Sequence, residues 1–473
     1  MSAIKLWKHQ IECVEKLKKR PNGALFMEPG TGKTATTIHL MRCKYNEKKE
    51  LSPTLIFCPP IVVKNWKREI LAHSKIPTDK ILPLIGSGAN RLKDFLAWKD
   101  KHKGNFIAIT NYEAVQMAQL FAEFIKWKPK ILVSDECHRL KNSTALRTKK
   151  VMELSDLAEI KYILTGTPVL NTPMDLFSQY RIMDGGQTFG RNYFAFRYTY
   201  FYDKNVGMPK QKYFPNWVPK PACHEQLGHM IEASSFQAKK SECLTLPPLV
   251  CQRIEVELSA EQKKSYKEML KTFVTIVKEE ACVAQLAITK SLRLQQIIAG
   301  FVRTDTQRDV SFDGNPRLAA LGDLLQDITP GAKCIVWCNF RANYAQIEAM
   351  LKGLAIPYVF LTGEQSTKDK DEAVHRFSTD EAIRVMVGNP QAGGEGVNLV
   401  SASHMIYYTR NFSLKDDIQS AARNYRGGSE CHEKITRWDI VAPGTIDEVI
   451  LSALENKQDM AKAILDYAKG TKL

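Results

Sequence analysis

The segment Glu28-Pro29-Gly30-Thr31-Gly32-Lys33-Thr34 follows an apolar run, Ala24-Leu25-Phe26-Met27, and precedes a helical pattern. A glycine-rich turn between strand and helix points backbone N–H groups at phosphate oxygens, and the helix N-terminus adds its positive end. Gly30, Thr31 and Gly32 would form the cradle. Lys33 would reach the β- and γ-phosphates of a nucleotide, and the Thr34 hydroxyl would ligate Mg²⁺. Met27 stands where the full phosphate-loop pattern has its first glycine, while the Gly-x-Gly-Lys-Thr end is intact. Further along, the apolar run Ile131-Leu132-Val133 ends in Ser134-Asp135-Glu136-Cys137-His138. Two adjacent carboxylates at a strand end, downstream of a phosphate loop, suit nucleotide hydrolysis. Asp135 would hold Mg²⁺ through water, and Glu136 would be the general base on the attacking water.

These groups need rigid elements behind them. Short apolar runs alternate with amphipathic helical stretches at residues 24–27, 54–58, 106–109, 131–133 and 162–164, and again at 334–337, 358–361, 385–387 and 404–408. Buried parallel strands separated by helices have this texture. The expectation is an α/β protein with two doubly wound parallel-sheet lobes, residues 1–185 and 313–473. Between them, 186–312 reads as a mainly helical insertion and linker, aromatic and basic in its first part. Ser259 with Gln262 three residues on is a capping-box helix start. The stretch 446–470 reads as one or two more amphipathic helices. Within the insertion, Arg191 to Tyr202 interleaves aromatics with cations. It can stack on bases or form the apolar core of the insertion packed on the first lobe. The second reading is preferred, since aromatics dominate cores.

The chain has 473 residues, 44% hydrophobic and 25% charged, which excludes a mostly disordered or fibrous protein. Lys and Arg number 67 against 51 Asp and Glu, a formal charge of +16. Such an excess favours a polyanionic partner, nucleic acid first. No apolar run approaches the length that spans a bilayer, and the first residues lack a signal-peptide core. The eleven cysteines include no Cys-x-x-Cys pair and read as reduced thiols of a cytosolic protein.

Asp135-Glu136-x-His138 resembles the DEAD/DEAH-box motif of superfamily-two helicases. Further segments follow in that family's order: Cys58-Pro59-Pro60 with Asn65-Trp66, Ile109-Thr110-Asn111-Tyr112-Glu113, and Leu164-Thr165-Gly166-Thr167-Pro168. Then come Gly393-Gly394-Glu395-Gly396-Val397-Asn398-Leu399 and the spacing Gln419, Arg423, Arg426. The wording is closest to the Swi/Snf-type DNA translocases, on Leu6-x-x-x-Gln10, Val169-Leu170-Asn171 after Pro168, Leu246-Pro247-Pro248, Leu292-Arg293-x-x-Gln296 and Asn315-Pro316-Arg317-Leu318. It suggests a compact bacterial or phage version. Several positions depart from the branch. Ala422 and Tyr425 replace Asp and His around the two arginines, Gln391 replaces an arginine, and Gly427-Gly428-Ser429 replaces the closing Ile-Gly-Gln.

The resemblance implies two RecA-like lobes that bind ATP and Mg²⁺ between them and hydrolyse ATP while tracking along duplex DNA. It implies that Gln10 reads adenine and that Arg423 and Arg426 act as arginine fingers. His138, Thr165, Gly166, Thr167, Gly394, Gly396 and Gln419 would couple nucleotide state to the nucleic-acid path. Lys64, Asn65, Thr110, Tyr112 and Asn398 would touch nucleic acid, mostly at phosphates. The expected setting is a monomer in the cytoplasm, near the nucleoid or in a host cell if phage-encoded, with no membrane partner and room for a protein partner in trans. Other readings are a strand-separating DNA or RNA helicase, a motor subunit for a partner nuclease, and a clamp with its ATPase switched off. Intact Lys33, Asp135 and Glu136 speak against the last.

Overall fold

The computed structural model describes residues 6–166, 172–209, 214–276, 280–303, 308–328, 331–391 and 397–456. The chain divides into two compact units, Met1–Leu244 and Thr245–Leu473. In the first, the described strands of the main sheet are β1 (Asn22–Met27), β2 (Thr54–Phe57), β3 (Ile81–Pro83), β4 (Ile107–Thr110), β5 (Ile131–Asp135) and β6 (Ile160–Thr165). A small hairpin follows, β7 (Phe201–Asp203) with β8 (Trp217–Pro219), and then β9 (Ser235–Ala238). The sheet order is β3-β4-β2-β5-β6-β1-β9, and every pairing is parallel.

Helices cover both faces of this sheet, so successive strand residues are all buried on alternate sides. Ala24, Phe26, Leu55 and Phe57 pack into one layer, and Leu25, Met27, Ile56 and Cys58 into the other. The second unit repeats the plan. Its strands are β10 (Leu249–Glu255), the paired β11 (Phe301–Arg303) and β12 (Asp309–Ser311), β13 (Cys334–Trp337), β14 (Tyr358–Leu361), β15 (Val385–Gly388), β16 (His404–Tyr407) and β17 (Ile435–Val441). The main sheet runs β10-β17-β16-β13-β15-β14, again all parallel.

The three-part division expected from the sequence is redrawn. Residues 186–312 are shared between the units: β9 extends the first sheet beside β1, and β10 extends the second beside β17. Both are edge strands, so neither carries the continuous apolar run of a central strand. The capping box at Ser259 is present, with Gln262 N–H donating to Ser259 Oγ at 3.2 Å and Ser259 N–H to Gln262 Oε1 at 3.0 Å. The Arg317 guanidinium is buried. It donates to the carbonyls of Tyr408 (2.6 Å) and Ile440 (3.0 Å) and pairs with Asp447, tying the helix Pro316–Asp327 to the strand ends. A helix Ile446–Asn456 begins the last expected stretch, whose remainder lies outside the described residues. Among the described residues no helix is long and apolar enough to cross a membrane.

Candidate active site

The phosphate loop leaves the C-terminal end of β1 and enters the helix Lys33–Lys48. Gly30 (φ 92°) and Gly32 (φ 84°) take left-handed backbone that L side chains rarely adopt. A Cβ on Gly32 would lie 1.9 Å from Gln10 Nε2, so the tight approach also demands glycine there. Thr31 is buried, its hydroxyl donating to the Glu28 carbonyl at 2.7 Å. Lys33 Nζ donates to the Met27 carbonyl at 3.0 Å, which holds the ammonium over the loop. Thr34 is half-buried beside Lys33 in the first turn of that helix.

Two elements brace the loop. From the helix Lys8–Leu17, Gln10 Nε2 donates to the carbonyls of Thr31 (3.3 Å) and Gly32 (3.4 Å), and Gln10 Oε1 accepts the Trp7 N–H (2.8 Å). His9 Nε2 lies 2.8 Å from the Thr31 carbonyl. The Gln10 amide thus also shapes the loop. On the other side, Glu28 N–H donates to the Ala238 carbonyl (2.9 Å), and Glu28 Oε2 accepts the Lys240 N–H (2.9 Å). Neither His9 nor the β9 staple was legible as part of the site, because neither belongs to a phosphate-binding pattern.

Asp135 ends β5, two strands from β1 in the same sheet. Its Oδ2 accepts the Trp66 indole N–H at 2.9 Å, and its Oδ1 accepts the Glu136 N–H at 3.0 Å. Glu136 has φ 52°, a left-handed conformation costly for a non-glycine residue and typical of functional sites. It turns the chain so that Glu136 Oε2 lies 3.2 Å from His138 Nδ1, which is also 3.1 Å from Thr165 Oγ1 at the end of β6. His138 thereby bridges the acidic pair and β6. Gly166 packs against the loop, since a Cβ there would meet Pro29 Cδ at 2.6 Å. Thr167, Gly394 and Gly396 lie outside the described residues.

The nucleic-acid candidates divide. Lys64 and Asn398 are exposed and Asn65 is half-buried. Thr110 and Tyr112 are both 0% exposed, so the expectation that they touch nucleic acid is corrected. Tyr112 stacks on Phe57 (centroids 5.5 Å apart) and donates its hydroxyl to the Asp135 carbonyl at 2.6 Å. Burial, with Cys137 and Asp135 nearby, raises the phenol well above its ordinary pKa, so it stays a donor. Thr110 ends β4, a strand whose residues are all buried. Trp66 is a further side chain of the site that the sequence did not single out; its signal was Asn65-Trp66, read there only as part of the family resemblance.

In the second unit, Gln419 is buried on the helix Leu414–Ala421, whose N-terminus is capped by Ser413 Oγ accepting the Asp416 N–H at 3.2 Å. Arg423 and Arg426 follow in the turn after it. The Arg423 carbonyl accepts the Leu399 N–H (3.0 Å), and Arg426 Nη1 reaches the Val397 carbonyl (3.5 Å), joining this turn to the segment 397–399. Ala422 is buried, so the departure from Asp removes a carboxylate from an enclosed position. Gln391 donates to Asp416 Oδ2 at 2.9 Å and so ties its loop to the same helix without a charge.

The model of the SNF2-related domain matches residues 9–303, and that of the helicase conserved C-terminal domain matches residues 316–428. The chain belongs to the SNF2-related family. Among its relatives, the chromodomain-helicase-DNA-binding protein 1-like of Danio rerio is 24% identical over 489 residues, covering 99% of this chain and 45% of the relative. Protein p41 of Acyrthosiphon pisum secondary endosymbiont phage 1 is 25% identical over 455 residues, 93% of each chain. The SNF2 chain thus spans less than half of the zebrafish relative and nearly all of the phage protein. A solved Sulfolobus solfataricus SWI2/SNF2 ATPase core in complex with dsDNA shares 21% identity, covers 98% of this chain and 93% of its own, and has a TM-score of 0.41.

Proposed function

We propose that this chain is the motor core of an ATP-driven translocase on duplex DNA. The observation that carries the reading is the meeting of three features at the C-terminal ends of β1, β5 and β6: a glycine-built phosphate loop, an oriented Asp135-Glu136 pair, and a histidine joining that pair to β6. The cradle fits a triphosphate, because Gly32 leaves no room for a side chain and the helix N-terminus lies behind it. Lys33 is taken from the Met27 carbonyl by the incoming β- and γ-phosphates. Thr34 and Asp135 would hold Mg²⁺, which supplies charge neutralisation across the phosphates. Glu136 accepts a proton from the water that attacks the γ-phosphorus; the bond to the β,γ-bridging oxygen breaks, and ADP and phosphate leave. His138 hydrogen-bonds Glu136 and Thr165, so a change at the γ-phosphate is felt at the end of β6.

Arg423 and Arg426 are assigned the neutralisation of transition-state charge, which an arginine finger can accelerate by ~10³-fold or more. Lys64, Asn65 and Asn398 are assigned to DNA phosphates, and the +16 formal charge supports a polyanionic track. The name of the zebrafish relative, a DNA-binding helicase, agrees with this choice of polymer. The test is ATP hydrolysis by the purified chain, titrated with duplex DNA, single-stranded DNA and RNA, beside Glu136→Gln. Stimulation by duplex DNA that vanishes in the variant is the expected result. Stimulation by single strands or RNA alone replaces the translocase with a conventional helicase, and no hydrolysis with any polymer refutes the motor.

A further inference from the structure

The aromatic and basic stretch after residue 190 is only half accounted for by packing. Its helix Tyr193–Tyr200 buries Phe196 against Phe177 and Phe189, and β7 buries Phe201, as a core segment should. The opposite side is bare. Phe194 is 60% exposed and Tyr198 61%, and Tyr202, on the outward face of β7, is also exposed. Large rings left in water at this level ask for a ligand.

We infer that this helix-and-hairpin face is a separate binding site for unpaired nucleotides, with Phe194 and Tyr198 as stacking platforms. Phe194 and Tyr198 are four residues apart on one helix, hence neighbours at about 5–6 Å between Cβ atoms, a spacing that successive bases of an extended strand can follow. The rings are held rather than loose. The Arg197 guanidinium lies 4.0 Å from the Trp217 ring centroid, 5.1 Å from that of Phe194 and 5.4 Å from that of Tyr198. Trp217 meets Tyr198 edge-on at 5.1 Å. Lys220 Nζ donates to the Tyr198 carbonyl at 2.7 Å and locks hairpin to helix.

Charge selects the ligand. Among the described residues of 190–220 the charged ones are Arg191, Arg197, Lys204 and Lys220 against one acid, Asp203. Asp203 is buried, and its carboxylate accepts the N–H groups of Asn205 (3.0 Å) and Asn216 (2.7 Å), so it presents no negative charge to a ligand. Lysines are depleted from the cores of protein–protein interfaces, whereas cations interleaved with exposed rings are how single strands are gripped without sequence preference. Bases in a duplex already stack on each other, so the ligand is unpaired. This site stands on a different element from the phosphate loop and does not depend on the translocase reading.

The test uses the full chain, fluorescence anisotropy and labelled oligothymidylate, oligouridylate and blunt duplex DNA, with heparin as a base-free polyanion. Each stacked base is worth a several-fold factor, so Phe194→Ala/Tyr198→Ala should weaken oligothymidylate binding about thirtyfold. Phe194→Tyr/Tyr198→Trp, which keeps two flat rings, should retain it. Heparin affinity and duplex-stimulated ATP hydrolysis should be unchanged in both. Oligouridylate bound as tightly as oligothymidylate makes the ligand unpaired nucleotides of either sugar, and a preference names one. Unchanged oligothymidylate affinity in the alanine variant overturns the site, as does an equal loss for heparin. If no polymer stimulates ATP hydrolysis, the motor reading fails while the anisotropy result still decides this one.

Discussion

Replacing Trp66 by Phe separates the orientation of Asp135 from its presence. The indole is fully buried, and its N–H donates to Asp135 Oδ2 at 2.9 Å. Phenylalanine keeps an aromatic ring in the layer but removes the donor. Asp135 retains the Glu136 N–H on Oδ1, so the carboxylate stays near its place while Oδ2 loses the indole donor. A hydrogen bond to a charged group is worth about 1.5–3 kcal/mol. If that energy is spent holding the carboxylate for the metal, the rate should fall about 10- to 150-fold, and the Mg²⁺ concentration for half-maximal rate should rise. The assay is ATP hydrolysis at saturating duplex DNA with Mg²⁺ titrated, well below the melting temperature. The smaller ring also leaves a cavity, which lowers the melting temperature but cannot shift the Mg²⁺ midpoint. A variant with the wild-type rate and midpoint would refute the assignment of Trp66.

Other substitutions probe separate parts. Gly32→Ala forces a Cβ into a left-handed backbone and toward Gln10; backbone strain alone should weaken binding of a fluorescent ATP analogue by about 5- to 30-fold, and wild-type affinity would count against the loop geometry. Arg317→Met leaves Asp447 and two carbonyls without their buried cation, a loss of about 3–5 kcal/mol. In a unit of this size that should lower its melting transition by roughly 6–20 °C, measured by calorimetry, and a shift near zero would contradict the tie. Burial pushes the Cys13 thiol up to about 12 and Cys338 up to about 11. A raised pKa means less thiolate at a given pH, so iodoacetamide at about pH 8 should label exposed Cys251 and Cys431 before either buried thiol, as peptide mass mapping would show.

The central strands were legible because burial on both faces leaves an uninterrupted apolar run, as at Thr54–Phe57 and Cys334–Trp337. The edges were not. Ile81–Pro83 is three residues long, and Ser235–Ala238 holds one large apolar side chain. Ile435–Val441, though inside its sheet, carries Arg437 and Asp439, which interrupt its apolar run. In the fold they are satisfied internally, Asp439 accepting from Arg437 at 3.0 Å and from Arg410 at 2.7 Å. The same contrast holds at the site. Lys33, Thr34, Asp135, Glu136 and His138 were named by type and order, since phosphate and metal chemistry admits few substitutes. Which way a side chain faces was not recoverable from a linear motif: Thr110 and Tyr112 turn inward, and Phe194 and Tyr198 turn outward from a stretch expected to be core.

The edge strand β9 has a mechanical consequence. It pairs in parallel with the strand that carries the phosphate loop, its register running from Ala24–Ser235 to Met27–Ala238, and Lys240 then seizes Glu28. The second unit begins at Thr245, a few residues on. Tension along the peptide joining the units therefore passes Lys240 and then reaches β9. It loads the β1–β9 pair in shear, with the interstrand hydrogen bonds sharing the force rather than opening one at a time. The nucleotide loop is thus built at the point where the chain would feel a pull, and the Lys240–Glu28 bond is the first to meet it.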